Sequence, residues 1–150
     1  MDIQNSLSRF QFIGSCIKSC NFNNTFVTYT ETKPLDKSFD LDYSDPEINE
    51  SSDALIGVIN LTVTVHCSDD SHALDLSLVI EGAFTFPKES SVEQFRTMLT
   101  LNGCTTLYTI CRSFIMSLTA QSFAVGQIIL PMINMLNYQR EHQSIKQQTE

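Results

Sequence analysis

The sequence contains no tryptophan, only five glycines, and only nine lysine and arginine residues against 17 aspartates and glutamates, so its formal net charge is −8. The shortage of cations excludes nucleic acid as an expected partner, because a protein binds a polyanion through a cationic face that releases counterions. It argues equally against binding to an anionic membrane surface. The glycines are scattered and form neither a phosphate-binding loop nor a Gly-x-Ser-x-Gly elbow, so two common enzyme classes have no motif here.

Long hydrophobic runs are also missing. The best candidate for a transmembrane helix, residues 123–136, is interrupted by Gly126, Pro131 and Asn134. It is also shorter than the roughly 20 residues that a bilayer core requires. The first five residues are acidic and polar, where a signal peptide would be basic and then apolar. We therefore expect a cytoplasmic protein whose five cysteines are reduced thiols, several of them buried as small hydrophobic side chains.

The histidines and cysteines do not form a metal-binding pattern. His66, Cys67 and His72 flank one predicted turn and could converge, but strand ends commonly carry polar residues. Cys16 and Cys20 would share one face of a regular strand about 13 Å apart, too far for one tetrahedral site. Nothing selects a catalytic pair among the carboxylates. We expect no metal, no cofactor and no catalytic residue, and hence a protein that is not an enzyme.

The length of 150 residues, with 42% hydrophobic residues, suits one domain with a proper core. We expect a single domain over residues 1–150, with flexible ends at residues 1–9 and 141–150.

Two segments alternate between apolar and polar residues and predict an antiparallel hairpin, residues 54–67 and 72–86 joined by the polar residues 68–71. Residues 10–22 predict another strand, with a bulge or kink at Gly14, and residues 39–43 predict a half-exposed fourth.

The apolar spacing changes to helical after Pro87. Ser90 or Ser91 can cap a short helix that Asn102-Gly103 ends, and residues 104–120 predict a longer one with apolar residues beyond a single stripe. Pro131 suits the first turn of a short last helix. Strands precede helices, so the fold class is α+β, with helices packed on an antiparallel sheet.

The negative charge is concentrated in residues 36–53, which carry seven acids and one lysine. Two interpretations stay open: a solvated face, or a docking patch for a basic partner. The ten phenylalanines, four tyrosines and five methionines also exceed what one core needs. They either cover the sheet or form an adaptable apolar groove.

The order of these features resembles the SecB family of bacterial protein-export chaperones over about residues 10–140. The similarity lies in short motifs taken together: Phe10-Gln11-Phe12-Ile13 and Cys20-Asn21-Phe22 in the first strand, Phe39-Asp40-Leu41-Asp42, the Val-rich strand Val58 to Val65, Glu81-Gly82-Ala83-Phe84-Thr85-Phe86, Leu107-Tyr108 with Arg112, and Met135-Leu136-Asn137-Tyr138.

The resemblance implies a four-stranded antiparallel sheet with a long helix and a short C-terminal helix. It implies a homotetramer built as a dimer of dimers, with the long helices at the inner interface. It also implies an ATP-independent holdase that supports protein export by binding non-native polypeptides in apolar grooves. Several weak grooves on one oligomer would bind a client tightly through effective concentration.

The resemblance assigns three groups of residues. The client groove would be lined by Phe26, Tyr29, Leu41, Tyr43, Met132, Met135, Leu136 and Tyr138. The acidic docking residues would be Asp75 and Glu81. The oligomer interface would contain Leu107, Cys111, Phe114 and Ile115.

The sequence differs from the family pattern in two places that affect which partner is expected. The proline of the family's long-helix motif is absent, and the acidic tail that docks the translocase motor is replaced by residues 143–150, with one acid and one base. The expected partners are unfolded polypeptides or preproteins, with the translocase motor or an antitoxin as more specific alternatives. An adaptor dedicated to one partner, such as an antitoxin, and a domain that binds a small apolar ligand are the alternative functions.

Overall fold

The computed structural model describes residues 8–30 and 34–149. The expectation of flexible ends therefore lies outside the described residues at positions 1–7 and 150. Five strands and three α-helices follow one another along the described chain: β1 (Gln11–Asn24), β2 (Asp36–Tyr43), β3 (Glu47–Glu50), β4 (Ala54–Ser68), β5 (Ala73–Pro87), α1 (Val92–Met98), a π-helical turn (Leu99–Gly103), α2 (Cys104–Ser122) and α3 (Met135–Thr149).

The predicted hairpin forms the centre of the sheet. β4 and β5 pair antiparallel over their whole length, in the strand order β1-β5-β4-β2. Asp69 closes the turn between them, because its carboxylate accepts hydrogen bonds from the backbone N–H groups of Ser71 and His72. The Ser71 bond is the main reason why the pKa of Asp69 is lowered. The side chains alternate as predicted, with one face of the hairpin fully buried beneath the helices.

The sheet has five strands where four were predicted, because its outer edge beside β4 is broken in two. β2 and β3 both pair with β4, and residues 44–46 separate them. Pro46 has no N–H to donate to a ladder. Ser44 bridges the gap instead: its N–H donates to Asn60 O (3.0 Å) and its hydroxyl accepts from Asn60 N (3.1 Å).

The opposite edge, β1, contains two register shifts, between Phe12 and Gly14 and between Ile17 and Ser19. The first is the irregularity predicted at Gly14. The second changes the cysteine geometry: Cys16 pairs with Glu81 on the open face, whereas Cys20 pairs with Leu78 on the helix-covered face. The two thiols therefore lie on opposite faces, not on one face as a regular strand would place them.

α2 packs across the sheet, and two glycines allow the helical layer to approach closely. An added Cβ at Gly57 would lie 2.4 Å from Leu99, and one at Gly82 would lie 2.6 Å from Leu107. The core of the domain lies between this helical layer and the buried face of β4 and β5.

The expected break at Asn102-Gly103 does not occur. Ser91 caps α1 through its hydroxyl, as predicted, but the helix continues through the π-helical turn directly into α2. Gly103 keeps right-handed helical geometry and is buried, and an added Cβ would lie 3.4 Å from Phe84, an ordinary van der Waals distance. This glycine therefore continues the helix and does not end it. In this turn, the carbonyl of Thr100 accepts a hydrogen bond from Gln139 of α3.

The last helix begins at Met135, not at Pro131. Asn134 caps it, since its side-chain oxygen accepts from Asn137 N at 3.2 Å and its carbonyl from Tyr138 N at 3.0 Å. α3 also runs further than predicted, to Thr149. Among the described residues, no helix combines the length and the apolar character that crossing a membrane requires.

Candidate functional site

Two irregular segments run side by side at one end of the sheet. One is the crossover after β1, residues 25–30, and the other is the strap, residues 123–134, which connects α2 to α3. A parallel bridge between Thr28 and Val125 joins them. Tyr29 N donates to Val125 O and Ala124 N donates to Val27 O, both at 2.8 Å. The two segments therefore form one surface element, although they are distant in sequence.

Aromatic side chains fix this element to the sheet. The ring of Tyr29 stacks on Phe123 at 5.3 Å and packs edge-on against Phe26 at 6.0 Å. The Tyr29 hydroxyl lies 3.6 Å from Cys67 Sγ in β4. Phe26 and Tyr29, predicted to line the groove, are 6% and 7% exposed. They therefore support the surface from beneath and present almost no area to a ligand.

Three side chains of α2 anchor the strap through hydrogen bonds. The buried hydroxyl of Thr119 accepts from Ile128 N (2.9 Å), Arg112 Nε donates to Leu130 O (3.0 Å), and the Tyr108 hydroxyl donates to Pro131 O (2.6 Å). Burial raises the pKa of Tyr108 to about 12, so its hydroxyl stays protonated and remains a donor at neutral pH. The course of the strap is thus set by α2 and not by a β-ladder.

The strap and its neighbours leave several apolar side chains exposed to solvent. Ile128 and Leu130 point into the core, whereas Ile129 between them is 63% exposed. Met132 is 81% exposed and contacts Arg112 through its sulfur. We call the exposed apolar residues of this region the apolar strip; its members are Val27, Val125, Ile129, Met132 and Leu136.

The strip contains two of the predicted groove residues, Met132 and Leu136. Met135, predicted with them, is only 4% exposed and packs into the core. Val27, Val125 and Ile129 were not identified from the sequence. A usable signal was present, since no charged residue occurs between Arg112 and Arg140. Such an uncharged stretch cannot be wholly buried in a short strap.

The remaining groove residues form a second site, which we call the β2–α3 groove. It is lined by Asp40, Leu41, Asp42, Tyr43, Tyr138, Glu141, His142 and Ile145, and its volume is about 450 Å³. Leu41 is buried at its base, and its carbonyl accepts a hydrogen bond from the Tyr138 hydroxyl. The structure therefore divides the predicted groove between the crossover–strap surface and this second site.

The predicted acidic docking residues lie on the open face of the sheet, but each is paired with a neighbouring side chain. Asp75 Oδ1 is 2.6 Å from His66 Nδ1 on β4, and Glu81 Oε2 is 3.5 Å from Lys18 Nζ on β1. His66 and Cys67 are adjacent on a strand and point to opposite faces, so they do not converge with His72. Within the described chain, no cluster of three potential metal ligands forms.

Three of the four residues predicted at an oligomer interface face the sheet of their own chain. Leu107, Cys111 and Ile115 have no exposed surface, because they belong to the stripe of α2 that packs on β4 and β5. Only Phe114 is half-buried. Burial raises the pKa of Cys111 to about 12, as expected of an inert core thiol. The surface of α2 that stays exposed carries Thr105, Thr109, Ser113, Met116, Ser117, Ala120, Gln121 and Ser122.

Comparison with known proteins gives a likeness of structure only. No family model and no curated protein matches the sequence. A SecB-like chaperone of Mycobacterium tuberculosis, solved in complex with a ChAD peptide from an antitoxin, aligns with a TM-score of 0.62 and 14% identity, over 84% of this chain and 91% of that one. A Streptococcus agalactiae protein of unknown function aligns with a TM-score of 0.47 and 11% identity, over 82% of this chain and 97% of that one. The protein therefore has a SecB-like fold, the fold that its sequence motifs predict.

Proposed function

We propose that this protein is a non-enzymatic chaperone or adaptor that holds an apolar polypeptide segment on the apolar strip without nucleotide. The observation that carries the proposal is the exposure of five apolar side chains, 44% to 81% each, on the crossover, the strap and the start of α3. Exposed apolar surface of this kind marks an interaction site. The SecB-like chaperone with the same fold is bound to a peptide, which supports a polypeptide as the ligand.

A partner-specific role fits this chain better than a role in export. Asp75 and Glu81 are paired with His66 and Lys18, so the open sheet face offers no free acidic patch at these two positions to a translocase motor. We infer an adaptor for one partner, such as an antitoxin, as the more specific form of the function. General holdase activity toward unfolded preproteins is the second candidate, favoured by the flexible thioether of Met132, which accepts many apolar partners.

We also propose that the chain acts as one domain in the cytoplasm and assembles as a homotetramer. A reducing compartment suits five free cysteines, of which Cys16 and Cys20 are exposed. The exposed positions of α2 carry no charged side chain, since Arg112 is half-buried against the strap, and such a surface suits contact with a second subunit.

The test is suppression of aggregation of a chemically denatured client, followed by light scattering without ATP. We expect suppression that saturates at a fixed ratio of protein to client. The double variant Met132→Asp/Leu136→Asp should lose most of it, because both side chains are exposed and their replacement leaves the core intact. Val92→Asp is the matched control, since Val92 is an exposed apolar residue on α1, away from the strip.

Three outcomes separate the candidates. Normal activity of the double variant would refute the apolar strip as the binding surface. Failure to suppress any client, combined with capture of one antitoxin-like partner, would select the dedicated adaptor. An apolar small molecule that co-purifies with the protein and is displaced from the Met132→Asp/Leu136→Asp variant would replace the proposal with a ligand-binding function.

A further inference from the structure

The methionines of the described chain differ widely in exposure. Met132, on the strap, is 81% exposed and Met116, on α2, is 36% exposed, whereas Met135 is only 4% exposed. Met98 is half-buried, and its sulfur accepts a hydrogen bond from the Asn102 amide at 3.7 Å. A thioether reacts with a peroxide only where the oxidant reaches the sulfur. Exposure therefore makes Met132 the preferred site of oxidation among these side chains.

The sulfur of Met132 has a cationic partner. Arg112 Nη1 donates to it at 3.0 Å, and Arg112 Nε donates to Leu130 O at 3.0 Å. The second bond holds the guanidinium against the backbone of the strap, so the cation stays beside the sulfur. Among the described residues, no carboxylate forms an ion pair with Arg112, so its charge is not neutralised by a neighbour.

Oxidation of the sulfur would strengthen this contact. A thioether is a weak hydrogen-bond acceptor, whereas a sulfoxide oxygen carries a large partial negative charge and accepts strongly from a cationic donor. The new oxygen would be bonded to the sulfur that already contacts Arg112 Nη1, and rotation about the Cγ–Sδ bond brings it to the guanidinium. The product is a polar group fixed to the strap in place of a flexible apolar one.

We propose that Met132 is a site of reversible oxidation by a peroxide, and that its sulfoxide, held by Arg112, weakens binding at the apolar strip. The sulfur lone pair attacks one oxygen of hydrogen peroxide, so that an S–O bond forms and the O–O bond breaks. The thioether loses two electrons, and the departing hydroxide takes the proton of the transferred oxygen and leaves as water. The loss of binding rests on the proposed function, whereas the sulfoxide site does not.

The rest of the molecule tolerates this change. Met132 lies outside the core cluster, so a polar group at this position leaves the packing of the sheet and helices intact. The strip loses its most exposed member, and the dipole of the sulfoxide opposes the burial of an apolar segment against it. Methionine sulfoxide reductases restore the thioether, so the change can be reversed without unfolding.

The position of Arg112 also predicts the stereochemistry of the sulfoxide. A thioether sulfur has two lone pairs, and oxidation at one or the other gives opposite epimers. In the folded protein one lone pair faces Arg112 Nη1 and the other stays open to the oxidant. We expect one epimer at Met132 to exceed the other by about three to one, as one hydrogen bond supports. Met116, whose sulfur has no hydrogen bond among the described residues, should give similar amounts of both.

The test treats the full-length protein with isotopically labelled hydrogen peroxide, then with catalase and dithiothreitol. Dithiothreitol reverses disulfides and sulfenic acids at Cys16 and Cys20, whereas sulfoxides persist. Peptide mapping by mass spectrometry locates the label, and treatment of the digest with either the A-type or the B-type reductase identifies the epimer. We expect Met132 to gain label faster than Met116, and one reductase to remove most of it. In protein unfolded by guanidinium chloride, each reductase should remove about half.

Suppression of client aggregation tests the consequence. The measured quantity is the ratio of activity after peroxide to activity before it, for each protein separately. The wild-type protein should fall about three-fold or more and recover after treatment with the two reductases. Met132→Leu removes the reactive sulfur, so its ratio should stay near one whatever its starting activity. Met116→Leu is the matched control, and its ratio should fall as in the wild type.

The outcomes separate this site from the proposed function. Slower labelling of Met132 than of Met116 overturns the site, and equal epimers at Met132 in the folded protein overturn the role of Arg112. An unchanged ratio for the wild type, or an equal fall in Met132→Leu, overturns the effect on binding. If the untreated protein suppresses no client, the proposed function fails, and the sulfoxide site then stands or falls on the labelling rates and the epimer ratio.

Discussion

At the scale of single residues, the core contains two thiols that burial keeps in the neutral, protonated form. Cys104 and Cys111 are fully buried under the helices, and burial raises the pKa of each thiol to about 12 from an ordinary value of 9.0. In the unfolded chain both thiols ionise at a lower pH than in the folded protein. The free energy of unfolding is therefore unaffected by these two thiols below pH 9, and it falls as the pH rises from 9 toward 12 because only the unfolded state gains from their ionisation.

This predicts an alkaline loss of stability that two substitutions reduce. Urea unfolding at pH 7.5 and at pH 10.5 should show a lower free energy of unfolding at the higher pH. The double variant Cys104→Ala/Cys111→Ala should be less stable at pH 7.5, because it removes buried volume, yet lose less between the two pH values. An unchanged pH dependence in the variant would contradict the assignment. Tyrosines 108 and 138 titrate with the same sign and account for the residual loss.

Gly126 is the residue on which the path of the strap depends. Its φ is +97°, and an added Cβ would lie 1.9 Å from the Tyr29 carbonyl oxygen. We expect Gly126→Ala to destabilise the protein by about 1–3 kcal/mol or more, from backbone strain and steric overlap together. Gly14→Ala is the control, because nothing lies within 4 Å of its added Cβ, and it should change stability by less than about 0.5 kcal/mol. Equal effects in urea unfolding would refute this reading.

Residue patterns predicted the sheet well and the surface poorly. The alternation in β4 and β5 identified which face of each strand is buried, because a two-residue period follows from strand geometry alone. The strict alternation expected of a strand fails twice in β1: the register shift at Gly14 puts Phe12 and Cys16 on opposite faces, and the shift after Ile17 moves Cys20 to the face opposite Cys16. Nothing local in the sequence marks the second shift, which arises from pairing with β5. Phe26, Tyr29 and Met135 were expected at the surface but are buried, since only tertiary packing decides which aromatic residues remain exposed.

At the scale of elements, the strap depends on a buried threonine. The Thr119 hydroxyl donates to the Ile115 carbonyl at 2.8 Å and accepts from Ile128 N at 2.9 Å. Thr119→Val keeps the shape but leaves the Ile128 N–H without its acceptor, which should cost about 1–3 kcal/mol. Thr109→Val is the control, because Thr109 is exposed and bonds only within α2, to Thr105 O at 3.0 Å. Equal free energies of urea unfolding for the two variants would contradict the anchoring role.

The helices were predicted in number and approximate position, but not in their junctions. An Asn-Gly pair ordinarily ends a helix, yet here the glycine is buried beside Phe84 in right-handed helical geometry and the helix continues through a π-helical turn. A proline often stands in the first turn of a helix, yet the carbonyl of Pro131 accepts a hydrogen bond from Tyr108, and the helix begins only after the cap at Asn134. In both cases a contact distant in sequence outweighs the local preference. Such contacts become visible only once the fold is known.

At the scale of the whole molecule, the proposed tetramer requires a surface without charge, and Met116 lies on the exposed side of α2 at 36% exposure. Met116→Lys should shift the protein toward smaller assemblies, because it would bury an unpaired ammonium group. Val92→Lys is the matched control on α1 and should leave the assembly unchanged. Light scattering after size-exclusion chromatography measures both. A monomeric wild-type protein would refute the tetramer, and an unchanged Met116→Lys assembly would refute this interface.

The strap and the sheet should differ in mobility, because they are held by different kinds of contact. Residues 127–133 make no backbone-to-backbone hydrogen bond with another described residue, whereas β4 is paired along both of its edges. Release of residues 127–133 and α3 therefore breaks side-chain contacts but no strand pairing and leaves the sheet whole, so this part opens at a lower free energy than global unfolding. Its amide protons should exchange with solvent long before those of β4. Each such opening also uncovers Ile128, Leu130 and Met135, so the apolar area exposed to solvent fluctuates around the area of the closed state.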